Sequence, residues 1–243
     1  MTRETLMVGT RHRAPMPEVS VVIPTMNEEA SIGDVLDEVL DALRARDLEI
    51  LTVDTDSRDR TNEIAAAKGA RVVREPRRGY GRAYKTGFAA ARGTYIVTLD
   101  ADFTYPASRL PDLLRPLEEG RADFVSADRL TRLSHEAMSD MHRIGNGILN
   151  GMFRLLFRHP IRDSQSGMWV FRRDLVSSLD LVHEGMGFSE ELKIEVIRRG
   201  FRFLEVPIDY RPRRGEKKIR SVRDASDNLV WLVRKRFGWA RRP

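Results

Sequence analysis

The stretch Y-I-V-T-L-D-A-D-F-T-Y-P, residues 95–106, decides the fold of this 243-residue chain. Its apolar, β-branched beginning, residues 95–99, is typical of a strand buried on both faces. The run ends in Asp100-Ala101-Asp102, and two carboxylates at such a place are costly to bury unless a cation faces them. Open α/β sheets bind ligands at the carboxyl ends of their strands. Two interpretations follow: a solvated turn, or a divalent metal that Asp100 and Asp102 hold and that in turn holds a diphosphate.

Strand and helix patterns alternate with short connections through the first half of the chain, which is typical of a mostly parallel α/β sheet flanked by helices. The predicted strands are residues 19–23 (closed by Pro24), 49–53, 70–73, 95–99 and 123–127. Acids follow three of them: Glu28 after the first, Asp54 and Asp56 after the second, and Asp100 and Asp102 after the fourth. Because parallel strands end along one edge of a sheet, we expect these acids to share a crevice rather than to serve as separate turn formers.

The second half of the chain follows a different pattern. Residues 144–157 predict a helix that is apolar on nearly all faces and must therefore be covered. A polar turn at residues 163–167 precedes a predicted strand at 168–171. An amphipathic helix follows up to Arg199, with Ser189 as its candidate N-cap, and then a strand at residues 203–206. A last helix is predicted over residues 221–237.

The net charge of +6 is unevenly distributed, because the segment from Arg211 to the end is strongly basic and the remainder is slightly acidic. The last helix mixes Trp231 and Phe237 with arginines and lysines, which suits a lipid headgroup surface; a core-packed helix with a solvated basic end is the alternative. The chain has no Cys, so it has neither disulfides nor thiolate metal sites. No apolar run reaches the length of a membrane span. We expect a cytoplasmic protein with peripheral contact at the membrane face.

Taken in order, the motifs V-S-V-V-I-P-T-M-N-E-E, V-D-T-D-S-R-D, G-Y-G-R-A-Y-K-T-G-F-A-A-A-R-G and L-D-A-D resemble those of family 2 glycosyltransferases, which have the nucleotide-sugar-binding GT-A fold. Within that family the chain is most similar to dolichyl- or polyprenyl-phosphate mannosyltransferases and their glucosyl relatives. The pieces R-I-G-N, D-S-Q-S-G-M and E-V-P-I-D-Y-R-P-R-R-G-E-K-K-I agree. The resemblance covers roughly residues 18–236. It implies a catalytic domain over 18–220, with a nucleotide-binding half (18–128) and an acceptor half (129–220). A flexible arm (1–17) precedes this domain, and a basic amphipathic helix and tail (221–243) follow it.

The resemblance also implies site residues. Those implied for nucleotide-sugar binding are Pro24, Asn27, Glu28, Asp54, Arg78, Lys85, Asp100, Ala101 and Asp102. Those implied for the acceptor phosphate and the donor diphosphate are Arg129, Arg143, Ser166, Arg213 and Lys218. Asp100 and Asp102 are the implied ligands of Mg²⁺ or Mn²⁺, with Asp102 the more direct one. The residues expected to act in catalysis are Asp102, Arg213 and, if a base is needed, Asp163 or Glu190.

The implied reaction moves a hexose of the mannose, glucose or GlcNAc type, with inversion, from a GDP- or UDP-linked donor to an acceptor. A polyprenyl or dolichyl phosphate is the expected acceptor, and as an anion it needs no general base. A hydroxyl acceptor would need one, for which Asp163, Glu190 and Glu191 are the candidates. In mannosyl members a Gln often stands where this chain has Thr104, a weaker oxygen ligand. We therefore expect diphosphate and water to complete the metal's coordination shell.

Three other functions fit parts of the sequence. A soluble glycosyltransferase acting on a small hydroxyl acceptor, a sugar or a nucleoside, remains the main alternative. A nucleic-acid-binding module would use the basic tail but would leave the acidic strand ends unexplained, so no nucleic-acid partner is expected. A nucleotidyltransferase should carry a glycine-rich loop after the first strand, where Thr25-Met26-Asn27-Glu28-Glu29 stands instead. The sequence leaves the oligomeric state open.

Overall fold

A computed structural model describes residues 16–134, 137–214 and 221–238, with the backbone alone for 221–227. In these residues seven strands form one sheet in the order β3-β2-β1-β4-β6-β5-β7. The strands are β1 Val19–Thr25, β2 Leu48–Asp54, β3 Arg71–Arg74, β4 Tyr95–Thr98, β5 Phe124–Asp128, β6 Trp169–Arg172 and β7 Phe203–Pro207. Every neighbouring pair is parallel except those of β6, which runs antiparallel to β4 and to β5. The predicted α/β class with a mostly parallel sheet is confirmed.

Helices connect the strands and cover both faces of the sheet. They are α1 Ile32–Ala42, α2 Thr61–Ala67, α3 Tyr80–Ala90, α4 Leu110–Glu118, α5 Asp140–Phe157, α6 Phe188–Arg198 and α7 Ser221–Phe237, with short 3₁₀ segments at Ala107–Arg109 and Arg173–Ser178. Two details differ from the prediction. The first strand continues through Pro24 to Thr25, where the Thr25 carbonyl still accepts the N–H of Thr55 at 3.0 Å. Helix α6 is capped at Gly187 and not at Ser189, because Glu191 N–H already bonds the Gly187 carbonyl at 3.0 Å.

The central strands are buried on both faces, as their apolar runs predict. Along β1, Val21 packs into the layer formed with α1 and α4, whereas Val22 packs into the layer formed with α3 and α6. The same division holds for Val97 and Ile96 of β4. Helix α3 approaches the sheet closely at Gly87, where a Cβ would collide with the Val22 side chain. This close contact holds α3 against β1 and also against Val53 of β2.

Within the described residues, helix α5 packs against the rest of the protein along one side. Leu149 and Phe153 join a third core cluster with Leu232 of α7. The opposite side of α5 carries apolar side chains that the described residues leave exposed: Met141 at 68%, Ile144 at 65%, Ile148 at 55% and Leu155 at 71%. Helix α5 therefore has one apolar side that is packed and another that is exposed among the described residues. Over the residues described, the structure contains no helix with the length and apolarity needed to cross a membrane.

Candidate active site

A cleft of about 270 Å³ opens where β1, β2 and β4 end. Because these three strands are adjacent and parallel, the segments that follow them meet at one edge of the sheet. The side of the cleft formed by strand ends contains Pro24, Glu28, Asp100, Ala101 and Asp102. The other lining residues are Thr25, Met26, Thr55, Arg78, Gly79, Tyr80, Ala83, Met186 and Arg213. The structure thus brings together acids that lie more than 70 residues apart in the sequence.

Asp102 is held firmly, although it is charged and only 2% exposed. Its Oδ1 accepts the Thr104 hydroxyl at 2.6 Å and the Thr104 N–H at 3.1 Å. Its Oδ2 forms an ion pair with Arg213. Thr104 therefore orients Asp102 with its hydroxyl group, which is a different use from the oxygen ligand expected of it. The guanidinium of Arg213 is the cation that the strand-end pattern requires.

Asp100 lies close to Asp102, and its hydrogen-bond donors are tyrosine hydroxyl groups. The hydroxyls of Tyr84 and Tyr80 donate to its Oδ1 over long distances of 3.4 and 3.5 Å. Burial, and to a smaller extent the neighbouring Asp102 carboxylate, together raise the pKa of Asp100 to about 7, although Arg213 and Arg129 oppose the shift. A carboxyl group that is half protonated near neutral pH, next to a charged one, would gain from an added cation.

This pair of carboxylates fits Mg²⁺ or Mn²⁺, which prefer hard oxygen ligands. Across the described ranges, no group of three or more His, Cys, Asp or Glu side chains is arranged to hold a metal ion. An ion bound by Asp100 and Asp102 would therefore draw the rest of its ligands from a bound molecule and from water.

The turns after β1 and β2 are tied to each other. Asn27, which adopts a positive φ of 53°, donates its N–H to Ser57 Oγ at 2.9 Å and accepts the N–H of Arg58 at 2.8 Å. Asp54 accepts the N–H and hydroxyl of Ser57 and so shapes the second turn. Neither Asn27 nor Asp54 lines the cleft itself. Asn27 and Asp54 are both predicted to bind the nucleotide, and in the structure they shape the turns that border the cleft.

A buried ion pair supports the predicted acceptor turn at residues 163–167. Arg129 donates to Asp163 through Nε at 2.7 Å, Nη2 at 2.9 Å and its backbone N–H at 3.0 Å. Burial would raise the pKa of Asp163, but the Arg129 guanidinium holds it below its usual range. The N–H of Gly167, at the end of the turn, donates to the Tyr105 hydroxyl at 2.7 Å. Asp163 in this arrangement is a structural anion and a poor proton acceptor.

Lys193 of α6 also anchors the turn at residues 163–167, although no sequence motif indicates this role. Its side chain is fully buried, and Nζ donates to the carbonyls of Asp163, Ser164 and Ser166 at 2.8, 3.0 and 3.0 Å. The hydroxyl of Ser166 is buried and has no hydrogen-bond partner in the described part of the chain. The turn is thus fixed through its backbone, and the Ser166 hydroxyl is left unused.

Glu190 lies nearby and is fully buried. The side chains of Ser164 and Gln165 lie near its carboxyl group, but within the described residues neither oxygen accepts a well-formed hydrogen bond. Burial raises the pKa of Glu190 well above its usual range, and Lys193 opposes this only in part. This burial disfavours the carboxylate form, so the geometry argues against Glu190 as a base.

Two predicted residues, Lys85 and Arg143, lie outside the cleft lining. Lys85 Nζ donates to the Val182 carbonyl at 3.3 Å and does not line the cleft. Arg143 lies on α5, also outside the cleft lining. Lys218 falls outside the described residues.

The family described as Glycosyl transferase family 2 matches residues 20–180. This stretch contains the strand ends, the paired acids and the acceptor turn. The chain belongs to glycosyltransferase family 2.

Relatives of this glycosyltransferase have been named in archaea. It is 37% identical over 221 residues to the low-salt glycan biosynthesis hexosyltransferase Agl6 of Haloferax volcanii. The aligned region covers 89% of this chain and 53% of Agl6. It is 38% identical over 202 residues to the dolichyl-phosphate hexose transferase of the same organism, covering 83% of this chain and 86% of that protein. The chain thus spans about half the length of Agl6 and most of the second relative.

The fold agrees with solved structures. Glucosyl-3-phosphoglycerate synthase from Mycobacterium tuberculosis, crystallised with Mn²⁺, UDP and phosphoglyceric acid, superposes with a TM-score of 0.75 at 25% identity. The match covers 91% of this chain and 79% of the synthase. The GT-A fold implied by the sequence is therefore confirmed.

Sequence reasoning missed several residues of this glycosyltransferase site. Met186 and Tyr80 line the cleft, and Lys193 and Tyr105 hold the acceptor turn. Tyr80 and Tyr105 lie within quoted motifs, so the motifs themselves were a signal. Met186 and Lys193 had none, because the segments they contact are distant in the sequence.

Proposed function

We propose that this glycosyltransferase is metal-dependent and moves a hexose, of the mannose, glucose or GlcNAc type, from a nucleotide diphosphate sugar to a polyprenyl or dolichyl phosphate. The observation that carries the proposal is the pairing of Asp100 and Asp102 after β4, in a cleft that also contains Arg213, the ion-pair partner of Asp102. The two carboxylates suit a divalent metal ion, and the metal ion and the guanidinium together suit a diphosphate.

The donor half of the proposal assigns Asp100 and Asp102 to Mg²⁺ or Mn²⁺. When bound, the ion supplies electrostatic stabilisation of the leaving diphosphate. Arg78 and Arg213 line the same cleft and are assigned to the phosphate oxygens. The UDP in the mycobacterial synthase supports a UDP-linked donor, and a GDP-linked donor stays in the proposal beside it.

The acceptor half of the proposal rests on the finding that two candidate carboxylates are poorly suited to act as a general base. Asp163 is engaged with Arg129, and burial raises the pKa of Glu190 well above its usual range. A phosphate acceptor is already anionic at neutral pH and needs positioning more than deprotonation. The name of the dolichyl-phosphate hexose transferase supports such an acceptor. We assign Ser166, Arg129, Arg143 and Lys218 to the acceptor side and expect a single displacement with inversion at the anomeric carbon.

Peripheral membrane contact on the cytoplasmic side belongs to the same proposal. The exposed side of α5 offers Ile144, Ile148 and Leu155, and α7 adds Val230 and Phe237, which are 49% and 60% exposed. Exposed apolar side chains on amphipathic helices, with basic residues nearby, suit the interface of an anionic membrane. A lipid-linked acceptor would then reach the enzyme from that surface.

A small soluble acceptor is the second candidate. The observation that favours it is the phosphoglyceric acid bound to the mycobacterial synthase, which shares this fold. That compound carries both a hydroxyl group and a phosphate. An enzyme of this kind would act without lipid or detergent.

A thermal-shift panel tests the donor first. UDP, GDP and their hexose conjugates are each added with and without Mn²⁺, and one nucleotide series should raise the melting temperature only when Mn²⁺ is present. Product formation is then measured with that donor on a short polyprenyl phosphate and on 3-phosphoglycerate. Transfer to the polyprenyl phosphate, with an inverted anomeric carbon by NMR, is the expected result. Transfer to 3-phosphoglycerate alone would contradict the lipid acceptor, and a retained configuration would contradict inversion.

A further inference from the structure

We propose that the C-terminal helix α7 positions one wall of the donor cleft, with Trp231 and Lys235 as positioning residues. The contact runs through residues 182–187, which we call the wall loop. The proposal rests on the donor role assigned to the cleft, and it gives α7 a task that is separate from membrane contact.

The wall loop forms part of the cleft. Met186 lines it directly. The backbone of the loop also packs on the start of α3, where the Glu184 carbonyl accepts the N–H of Arg82 at 3.2 Å. A Cβ placed on Gly79 would lie 2.5 Å from that carbonyl oxygen, and one on Gly81 would lie 2.6 Å from the His183 carbonyl oxygen. Since Gly79 itself lines the cleft, a shift of the wall loop would move two of its sides together.

Trp231 of α7 packs on the outer side of this loop. Its ring meets the ring of His183 edge to face, with centroids 4.6 Å apart and an interplanar angle of 65°. It also closes over the end of the loop, because a Cβ on Gly187 would lie 3.2 Å from Trp231 Cδ1. Aromatic pairs of this geometry contribute beyond the area that they bury. Trp231 therefore supports the loop from the side opposite the cleft.

Lys235, one turn further along α7, makes an electrostatic link to the same loop. It is 7% exposed, and Nζ lies 3.1 Å from Glu191 Oε1 and 2.9 Å from Glu195 Oε1. The other oxygen of Glu191 accepts the N–H of His183 at 2.8 Å. One fully buried carboxylate thus joins Lys235 to the backbone of the wall loop. Removing the ammonium would leave that carboxylate buried without its cation, which is a strongly destabilising change.

The two roles of α7 lead to opposite expectations for a protein without membranes. If α7 serves only as a membrane contact, its buried residues have no influence on the donor cleft in lipid-free buffer. If α7 holds the wall loop, weakening its contacts loosens residues 182–187 and the start of α3, and the nucleotide binds less tightly. A simple truncation from residue 231 onwards would remove both roles at once, so point variants are required.

The test compares Lys235→Met and Trp231→Ala with Arg234→Met, an exposed neighbour on the same helix. Hydrogen–deuterium exchange is measured on peptides covering residues 79–83 and 182–187 of the full chain, without lipid or nucleotide. We expect exchange in both peptides to rise about tenfold in Lys235→Met and Trp231→Ala, while the β1 and β4 peptides keep their protection. Arg234→Met should match the wild type. Trp231→Phe, which keeps an aromatic ring on His183, should restore most of the protection.

Calorimetry with UDP and with GDP, each in the presence of Mn²⁺, gives the second readout. Whichever nucleotide the wild type binds should bind about tenfold more weakly to the two test variants. Unchanged exchange in both peptides would overturn the proposal, as would exchange that rises equally throughout the protein. A wild type that binds neither nucleotide would contradict the donor role of the cleft, and the exchange data would still decide whether α7 holds the loop.

Discussion

Replacing Lys193 with Met should loosen the acceptor turn without emptying the space that the side chain fills. The lysine is fully buried, and its ammonium donates three hydrogen bonds to backbone carbonyls at 2.8–3.0 Å. Met has a similar length and no donor. The variant therefore removes the three bonds and the charge and changes the packing little.

The expected loss of stability follows from two opposing effects. The carbonyls of Asp163 and Ser164 lose the only donor that the described residues give them, at about 2 kcal/mol each. The Ser166 carbonyl keeps the Trp169 indole N–H at 2.6 Å and loses only about 1 kcal/mol, which gives about 5 kcal/mol in total. Burial lowers the pKa of Lys193 from 10.5 to about 8, so keeping this group charged costs about 3 kcal/mol. Removing the charge recovers that amount and leaves a net loss of about 2 kcal/mol. For a chain of this size the melting temperature should fall by about 4–8 °C.

Glu190→Gln is the matched control, because it changes a buried ionisable group one turn away in the same helix. Burial raises the pKa of Glu190 well above its usual range and so favours the neutral carboxyl group, which Gln matches in charge and shape; the loss should stay below about 1 kcal/mol. Differential scanning fluorimetry at about pH 7 compares the two variants, and steady-state kinetics gives their KM values. Lys193→Met should raise the acceptor KM more than the donor KM. A melting temperature within about 2 °C of the wild type, with an unchanged acceptor KM, would refute this account of Lys193.

Further predictions concern the carboxylates and their surroundings. Asp102→Asn should keep the fold, by circular dichroism, and lose Mn²⁺-dependent nucleotide binding by calorimetry; an active Asp102→Asn enzyme would contradict the assignment. Because the pKa of Asp100 is about 7, Mn²⁺ should displace a proton, so its affinity should rise from about pH 6 to 7 and level off above about pH 8. Calorimetry in buffers of different ionisation enthalpy measures that proton, and a pH-independent affinity would refute its release. Gly167→Ala should reduce turnover at least tenfold, because the new methyl group would collide with the Tyr80 hydroxyl beside Asp100; wild-type turnover would count against that packing.

The strand-end acids could be predicted because their position depends only on local pattern and on a general rule of topology. An apolar run that stops at Asp100 and Asp102 identifies the strand and its end, and parallel pairing brings such ends together. The direction of β6 could not be predicted in the same way. Its four residues, Trp169–Arg172, fit a strand of either direction, and only its pairing with β4 and β5 in the structure shows that it runs antiparallel.

Helix α6 shows why the support of the site could not be predicted. Its polar residues read as a solvated face, and Glu190 and Glu191 read as ordinary acids of a first turn. In the structure both are fully buried, as is Lys193. The partners that make this burial tolerable lie 27–30 residues away for Lys193 and 44 residues away for Glu191. Sequence periodicity reports which residues share a face, and it carries no information on which distant segment covers that face.

The charges around the cleft explain why metal and donor should bind together. Glu28, Asp100 and Asp102 line the cleft with carboxylates, and Arg78 and Arg213 line it with guanidinium groups. Arg213 is already engaged with Asp102, so the cleft on its own holds no clear excess of positive charge for a diphosphate. A divalent cation between the two aspartates would reverse that balance. The anion and the cation therefore each make the site more favourable for the other, and nucleotide affinity without Mg²⁺ or Mn²⁺ should be weak.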